Sequence, residues 1–230
     1  PGKSRSEFGR RVHPRRHYSL RVSGRWPAVY SMTFTGAIGA ACMFPLRAII
    51  SACVVLGIHP NVLTLVGVII NFAAAWQFAM GEFVTAGFIM LAGNIFDFID
   101  GKVAEATNTK SDFGGFWDSV MDRFSDLSLF VGVMFLYAEL GRTDYVMIAA
   151  FAMMFSVMTS YTRARAESMV EKCKVGFMER PERIVLVMIG AFTNRMGAVL
   201  WVILVLSVVT VIDRIYFTWR TLKTEGPFSA

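Results

Sequence analysis

Asp97, Asp100, Asp118 and Asp122 are the residues of this chain whose types and spacing are best suited to chemistry. The first pair is spaced i,i+3 and the second i,i+4, so on helices each pair shares one face. Apolar runs flank both pairs, Phe83 to Phe96 before and Leu127 to Ala138 after. Carboxylates at membrane depth are costly unless something compensates them, and the least costly compensation is a bound divalent cation. Hard cations such as Mg²⁺ take oxygen ligands. Two helices that each offer a carboxylate pair make a cage for such an ion, so the stretch reads as a metal site at the centre of the chemistry.

The elements that hold these carboxylates must be membrane helices. With 55% hydrophobic and 17% charged residues, the chain is too apolar for an ordinary soluble domain of 230 residues. The expected fold is an all-α integral membrane protein, with six transmembrane helices plus an N-terminal interfacial amphipathic helix. Its parts are a basic cytoplasmic or interfacial segment (1–44), a transmembrane domain (45–222) and a C-terminal tail (223–230). The spans are expected at about Asn61 to Met80, Phe83 to Ala106, Phe113 to Leu140, Thr143 to Val170, Pro181 to Thr193 and Arg195 to Trp219. His59-Pro60 and Gly81-Glu82 punctuate the first of these, Pro60 suiting a first helical turn. Before them, Pro45 to Leu56 fits a helix lying at the interface with Arg47 reaching to headgroups, and residues 31–44 fit either a re-entrant or an interfacial segment. The three cysteines, Cys42, Cys53 and Cys173, have no metal-like spacing and fit no disulfide framework.

Charge sets the expected orientation. With the N-terminus inside, the cytoplasmic segments 1–47, 105–112, 163–183 and 213–230 carry nineteen Lys/Arg, and the opposite loops carry only Arg142 and Arg195. That asymmetry places the aspartates on the cytoplasmic side of a multi-pass cell-membrane protein. Residues 1–26 hold eight Lys/Arg and one Glu; they read as a positive-inside anchor and as a segment attracted to anionic headgroups. Aromatic residues are sparse there, so no nucleic-acid partner is expected.

The spacing D-x2-D-G-x2-A-x9-G-x3-D-x3-D, here Asp97, Asp100, Gly101, Ala104, Gly114, Asp118 and Asp122, resembles the signature of the CDP-alcohol phosphotransferases. The resemblance extends over residues 45–220. It implies transfer of a phosphatidyl-type group from a CDP-lipid to an alcohol with release of CMP, and a divalent cofactor, Mg²⁺ or Mn²⁺. It also implies that Asp97, Asp100 and Asp118 bind metal, with Asp122 at a second metal and acting as general base. That agrees with the physical logic of a cation neutralising a diphosphate and a carboxylate accepting a hydroxyl proton. Gly101 and Gly114 would let the nucleotide approach the backbone, although close helix packing explains either glycine alone. Asn61, Thr64, Ala104 and Ser111 match nucleotide-contacting positions; as single residues, Asn61 and Ser111 also read as helix caps. One departure stands out: where the family carries Arg after the motif Ala, this chain has Glu105, with Lys102 one turn earlier as a candidate compensation. Asp126 continues the i+4 ladder and reads as a buried polar helix contact or as a partner of Arg123.

A second cluster, Ser160 to Glu167 and Gly176 to Arg183, brings arginines to one end of two helices. Guanidinium forks suit phosphate; local pairing with Glu167, Glu179 and Glu182 explains the same charges. The pattern resembles the family branch with inositol phosphate as acceptor, the phosphatidylinositol-phosphate synthases. That resemblance points to Ser160, Arg163, Arg180 and Arg183 as acceptor phosphate ligands, with Arg165 left to pair with Glu167 or Glu179. The implied partners are CDP-diacylglycerol, inositol phosphate, membrane lipids and a second copy in a homodimer. Rival expectations are a phosphatidylglycerophosphate synthase using glycerol 3-phosphate, an intramembrane ion transporter, and an inactive lipid-binding relative in which Glu105 has silenced the site.

Overall fold

The computed structural model describes residues 46–225, so the expectations for residues 1–44 lie outside it. The described residues form seven helices and no strand. These are α1 (Leu46–Val55), α2 (Pro60–Ala79), α3 (Phe83–Ala106), α4 (Asp112–Glu139), α5 (Thr143–Glu167), α6 (Arg180–Phe192) and α7 (Met196–Glu225).

Local chemistry sets most of these bounds. At the start of α2, His59 is the cap: its Nδ1 accepts from the Asn61 N–H at 3.2 Å, and Pro60 opens the first turn. The expected cap role of Asn61 therefore passes to His59. Gly81 and Gly141 adopt φ of +80° and +66°, a backbone only glycine takes without cost, and turn the chain sharply between antiparallel helices. Ser111 caps α4 by accepting from the Gly114 N–H at 3.0 Å. A reciprocal capping box of Glu179 and Glu182 starts α6.

Two ends depart from expectation. The helix α5 stops at Glu167, short of Val170, because the chain turns there to bury Val170 and Cys173 against Ala166 and Phe217. The helix α7 runs on to Glu225, past Trp219. Polar residues continue it because Thr218 and Thr221 bond back to the carbonyls of Arg214 and Phe217 at 2.7 and 3.0 Å.

Helix α2 packs on α3 and α4, α5 on α4 and α7, and α6 on α3 and α7. The core is built of small and apolar residues, including Ala74, Phe78, Ala86, Met90, Ala149, Ala152, Ala191 and Leu200. The closest approach is at Gly132, where a Cβ would run into the Ala75 carbonyl oxygen of α2. The outer faces carry Phe72, Trp76, Phe88, Val131, Phe135, Trp201 and Val205, all well exposed, as a lipid-facing bundle requires. Four helices are long and apolar enough to cross a membrane: Pro60–Ala79, Phe83–Ala106, Thr143–Glu167 and Met196–Thr224. Helix α4 has 28 residues, but the charges of its first half leave too short an apolar stretch to qualify. Helix α6 has only 13 residues.

Candidate metal centre and its flanking cavities

The antiparallel pair α3 and α4 is joined by the short turn at 107–111, so the end of one and the start of the other face each other. One carboxylate oxygen each from Asp97, Asp100 and Asp118 lies within 4.8 Å of the others. Asp100 is buried and accepts a hydrogen bond from the Thr64 hydroxyl of α2, itself buried. Thr64 thus orients a carboxylate. Among the described residues, neither Asp100 nor Asp118 has a Lys or Arg within ion-pair distance, and the one guanidinium at the centre, Arg180, serves Asp97 and Asp122, at 2.9 Å from each. An all-oxygen donor set with a deficit of positive charge fits a hard divalent cation. Asp122 stands one turn deeper than Asp118, outside the three-carboxylate cluster.

A cavity of about 270 Å³ opens on one side of these carboxylates. Asn61, Thr64, Gly101, Ala104, Ser111 and Gly114 all line it, together with Asp100 and Asp118. A Cβ at Gly101 would meet nothing within 4 Å, so helix packing does not account for this glycine, and its bare backbone faces open space. Gly114 differs: a Cβ there would press on the Ser111 hydroxyl at 3.2 Å, within the cap of α4. Glu105, the departure from the family pattern, is bracketed by Lys102 at 3.1 Å and Lys110 at 3.6 Å. The compensation is therefore shared by two lysines rather than supplied by Lys102 alone.

A second cavity, of about 450 Å³, opens on the other side of Asp122. Ser160, Arg163, Arg180 and Arg183 line it with Asp122 and Asp126. The guanidinium groups are not bare. Arg163 pairs with Glu167 at 3.2 Å and with Glu179 at 2.8 Å. Buried Arg183 pairs with Asp126 and donates to the Ser156 carbonyl and the Thr159 hydroxyl. Arg165, expected to take Glu167 or Glu179, instead donates to Ser168 Oγ at 3.3 Å, because Arg163 holds both glutamates. Asp126 serves Arg183 and Arg180, not Arg123, which turns back to the Ser119 carbonyl.

The residue that sequence reasoning missed is Arg214. It is 2% exposed on α7, lines the second cavity, and donates to the carbonyls of Val175 and Thr159 and to Glu179. Its one signal in the sequence is a guanidinium next to Asp213 at the end of the apolar run of the last span, which reads equally well as inside-facing charge.

A family model described as CDP-alcohol phosphatidyltransferase matches residues 57–212, a stretch that holds the aspartates and both cavities. The chain belongs to this family. The ion-path reading of the aspartates falls with that finding. Among similar proteins is the archaetidylinositol phosphate synthase of Pyrococcus horikoshii, 36% identical over 180 residues, which cover 78% of this chain and 93% of the relative. The phosphatidylinositol phosphate synthase of Mycobacterium tuberculosis H37Rv is 30% identical over 176 residues, covering 72% and 81%. The crystal structure of the M. tuberculosis phosphatidylinositol phosphate synthase with CDP-DAG bound has a TM-score of 0.71 at 27% identity, over 76% of this chain and 93% of that one. The same enzyme in complex with manganese and citrate gives a TM-score of 0.72 at 28% identity, over 76% and 88%.

Proposed function

We propose that this enzyme transfers the phosphatidyl group of CDP-diacylglycerol to an inositol phosphate, giving phosphatidylinositol phosphate and CMP. The observation that carries the acceptor assignment is the second cavity, where Ser160, Arg163, Arg180 and Arg183 surround a space directly beside Asp122. The names of the similar synthases support it: the archaeal and mycobacterial enzymes differ in the lipid named but share inositol phosphate. Glycerol 3-phosphate is the competing acceptor, and it would need fewer contacts than this cavity offers.

In this reading Asp97, Asp100, Asp118 and Asp122 hold Mg²⁺ or Mn²⁺, with Thr64 orienting Asp100. The ion supplies charge neutralisation for the diphosphate and the oxygens in flight. Asn61, Thr64, Gly101, Ala104, Ser111 and Gly114 cradle the CDP part. Asp122 accepts the proton of the attacking inositol hydroxyl as that oxygen bonds to the phosphatidyl phosphorus, and the bond from phosphorus to the CMP oxygen breaks. Arg163, Arg180 and Arg183, with Ser160, hold the acceptor phosphate and so fix which hydroxyl reaches the phosphorus.

The surrounding architecture is read in the same way. All six helices α2–α7 cross the membrane, α4 with its charged half turned to the site and α6 as a short span; α1 lies at the interface. The charge asymmetry supports a cytoplasmic N-terminus and active site. Residues 1–44 form a basic segment, 45–222 the catalytic domain and 223–230 the tail. The small residues along the helices support close packing in a homodimer.

The test is CMP release by purified protein in liposomes with CDP-diacylglycerol and Mg²⁺, with inositol phosphate, inositol and glycerol 3-phosphate offered separately. Release with inositol phosphate alone, and its loss in Asp122→Asn, is the expected result. Release with glycerol 3-phosphate alone would overturn the acceptor assignment. No release with any acceptor would revive the inactive relative and put Glu105 in question.

A further inference from the structure

The cavity assigned to the nucleotide has an electrostatic peculiarity. Its polar walls include the carboxylates of Asp100 and Asp118, the hydroxyls of Thr64, Thr109 and Ser111, and one cation, Lys110. None of the arginines of the second cavity reaches this one. A nucleoside diphosphate is a polyanion, and a metal at the aspartates offsets charge only at the inner end of the cavity. Lys110 lies in the turn between α3 and α4, immediately before the α4 cap Ser111.

Lys110 also has an acidic neighbour. Glu105, on the last turn of α3, lies 3.6 Å from the Lys110 ammonium and 3.1 Å from that of Lys102. Glu105 and Lys102 are both absent from the cavity wall. Lys102 instead leans over the Phe98 ring, at 6.0 Å from its centroid. Two lysines thus share one glutamate, and only one of them faces the cavity. Both partners of the Lys110–Glu105 pair are well exposed, so the ammonium can leave Glu105 for a bound phosphate at little cost.

We propose that Lys110, the one cation among the described residues on the wall of this cavity, is a binding determinant for the nucleotide diphosphate of the CDP-lipid. This rests on the nucleotide assignment of the first cavity made above. The ammonium acts as a point charge rather than a geometric fork, so it strengthens nucleotide binding without touching the atoms that react.

The experiment compares Lys110→Gln, Lys110→Arg and Lys102→Gln with the wild-type chain. It measures CDP binding by calorimetry in detergent with Mg²⁺, and the KM for CDP-diacylglycerol in the CMP-release assay. Lys102→Gln removes the same charge from the same glutamate, but outside the cavity. The expected result is CDP affinity weakened about fivefold in Lys110→Gln, a size suited to one partly solvated charge. The KM for CDP-diacylglycerol should rise in step, with kcat and the KM for inositol phosphate unchanged. Lys110→Arg should restore binding, Lys102→Gln should leave it intact, and added salt should narrow the gap between Lys110→Gln and wild type. Equal weakening in both glutamine variants would reduce the effect to general surface charge and overturn the inference, as would wild-type binding in Lys110→Gln. A fall in kcat together with poorer binding of both substrates would show a structural role and overturn it too. Failure of the wild-type chain to bind CDP at all would instead overturn the nucleotide assignment itself, and the inference with it.

Discussion

Asp126→Asn separates two roles that the charges around the second cavity combine. Asp126 is 13% exposed and pairs with Arg183, which is 4% exposed; its other oxygen lies 3.6 Å from Arg180 Nε. The remaining contacts of Arg183 are long, 3.4 Å to the Ser156 carbonyl and 3.3 Å to the Thr159 hydroxyl, so Asp126 is its main counter-charge. Removing one partner of a buried pair costs about 3–5 kcal/mol. Asn keeps an acceptor oxygen, and the adjoining cavity admits water, which together reduce the figure to about 2–3 kcal/mol. At about 2–4 °C per kcal/mol for a chain of this size, the melting midpoint should fall by about 5–10 °C. The assay is thermal unfolding in detergent at one fixed scan rate, since membrane proteins often unfold irreversibly. The companion variant is Asp126→Leu with Arg183→Met, which removes both charges and keeps the volume. It should be within about 1 kcal/mol of wild type in stability, yet inactive because Arg183 is gone from the proposed acceptor site. An unchanged midpoint in Asp126→Asn, or a double variant less stable than the single one, would refute the pairing as the device that fixes α6 to α4.

Three further outcomes follow from the geometry. Thr64→Val keeps the shape of α2 but takes the hydroxyl from Asp100; the Mn²⁺ concentration for half-maximal CMP release should rise about tenfold, and an unchanged titration would sink the orienting role. Arg163→Gln should raise the KM for inositol phosphate about tenfold while leaving the KM for CDP-diacylglycerol alone; a rise in both would mean that the two cavities do not divide the substrates as proposed. Gly132→Ala places a Cβ against the Ala75 carbonyl and should cost about 1–3 kcal/mol through forced separation of α2 and α4, read as a lower melting midpoint; wild-type stability would contradict the close approach.

What could be read from the sequence was what is local. Helix α3 is found at its expected bounds because Gly81-Glu82 before it and the polar turn after it are strong punctuation. The aspartate ladder is equally local: spacings of three and four on adjoining helices dictate a shared face before any tertiary contact is known. The end of α7 was hidden because Thr, Arg and Lys mark a membrane boundary but do not stop a helix. Partners of charges were hidden for a different reason. Arg214 donates to Thr159, 55 positions away, and Arg180 reaches Asp97, 83 positions away; no periodicity encodes such a meeting. Proximity in sequence gives the pairing of Arg163 with Glu167 but misassigns its neighbours: Arg123 and Arg165 both turn to local oxygens, while Arg163 and Arg183 take the carboxylates.

The guanidinium groups of the second cavity form a gradient of burial that assigns them different tasks. Arg214 and Arg183 are 2% and 4% exposed, each tied to main-chain carbonyls as well as a carboxylate. Arg214 would have to give up such contacts to reach a ligand phosphate, at a cost that the new ion pair does not exceed, whereas Arg183 has its Nε–H without a partner among the described residues and can offer it to the phosphate while keeping Asp126. Arg163, 34% exposed, is held only by Glu167 and Glu179, themselves 35% and 38% exposed. Glu167 can turn to water when a phosphate arrives, while Glu179 stays with Arg214, so the exchange at Arg163 costs less desolvation than one at the buried arginines. Arg180, 20% exposed, lies between these extremes and is shared with Asp97 and Asp122, so it ties the second cavity to the carboxylates proposed to do the chemistry. In the proposed reaction the phosphate therefore meets an exposed outer arginine and a buried inner wall. The buried wall sets the depth to which the acceptor descends toward Asp122, and the outer arginine sets how tightly it is held.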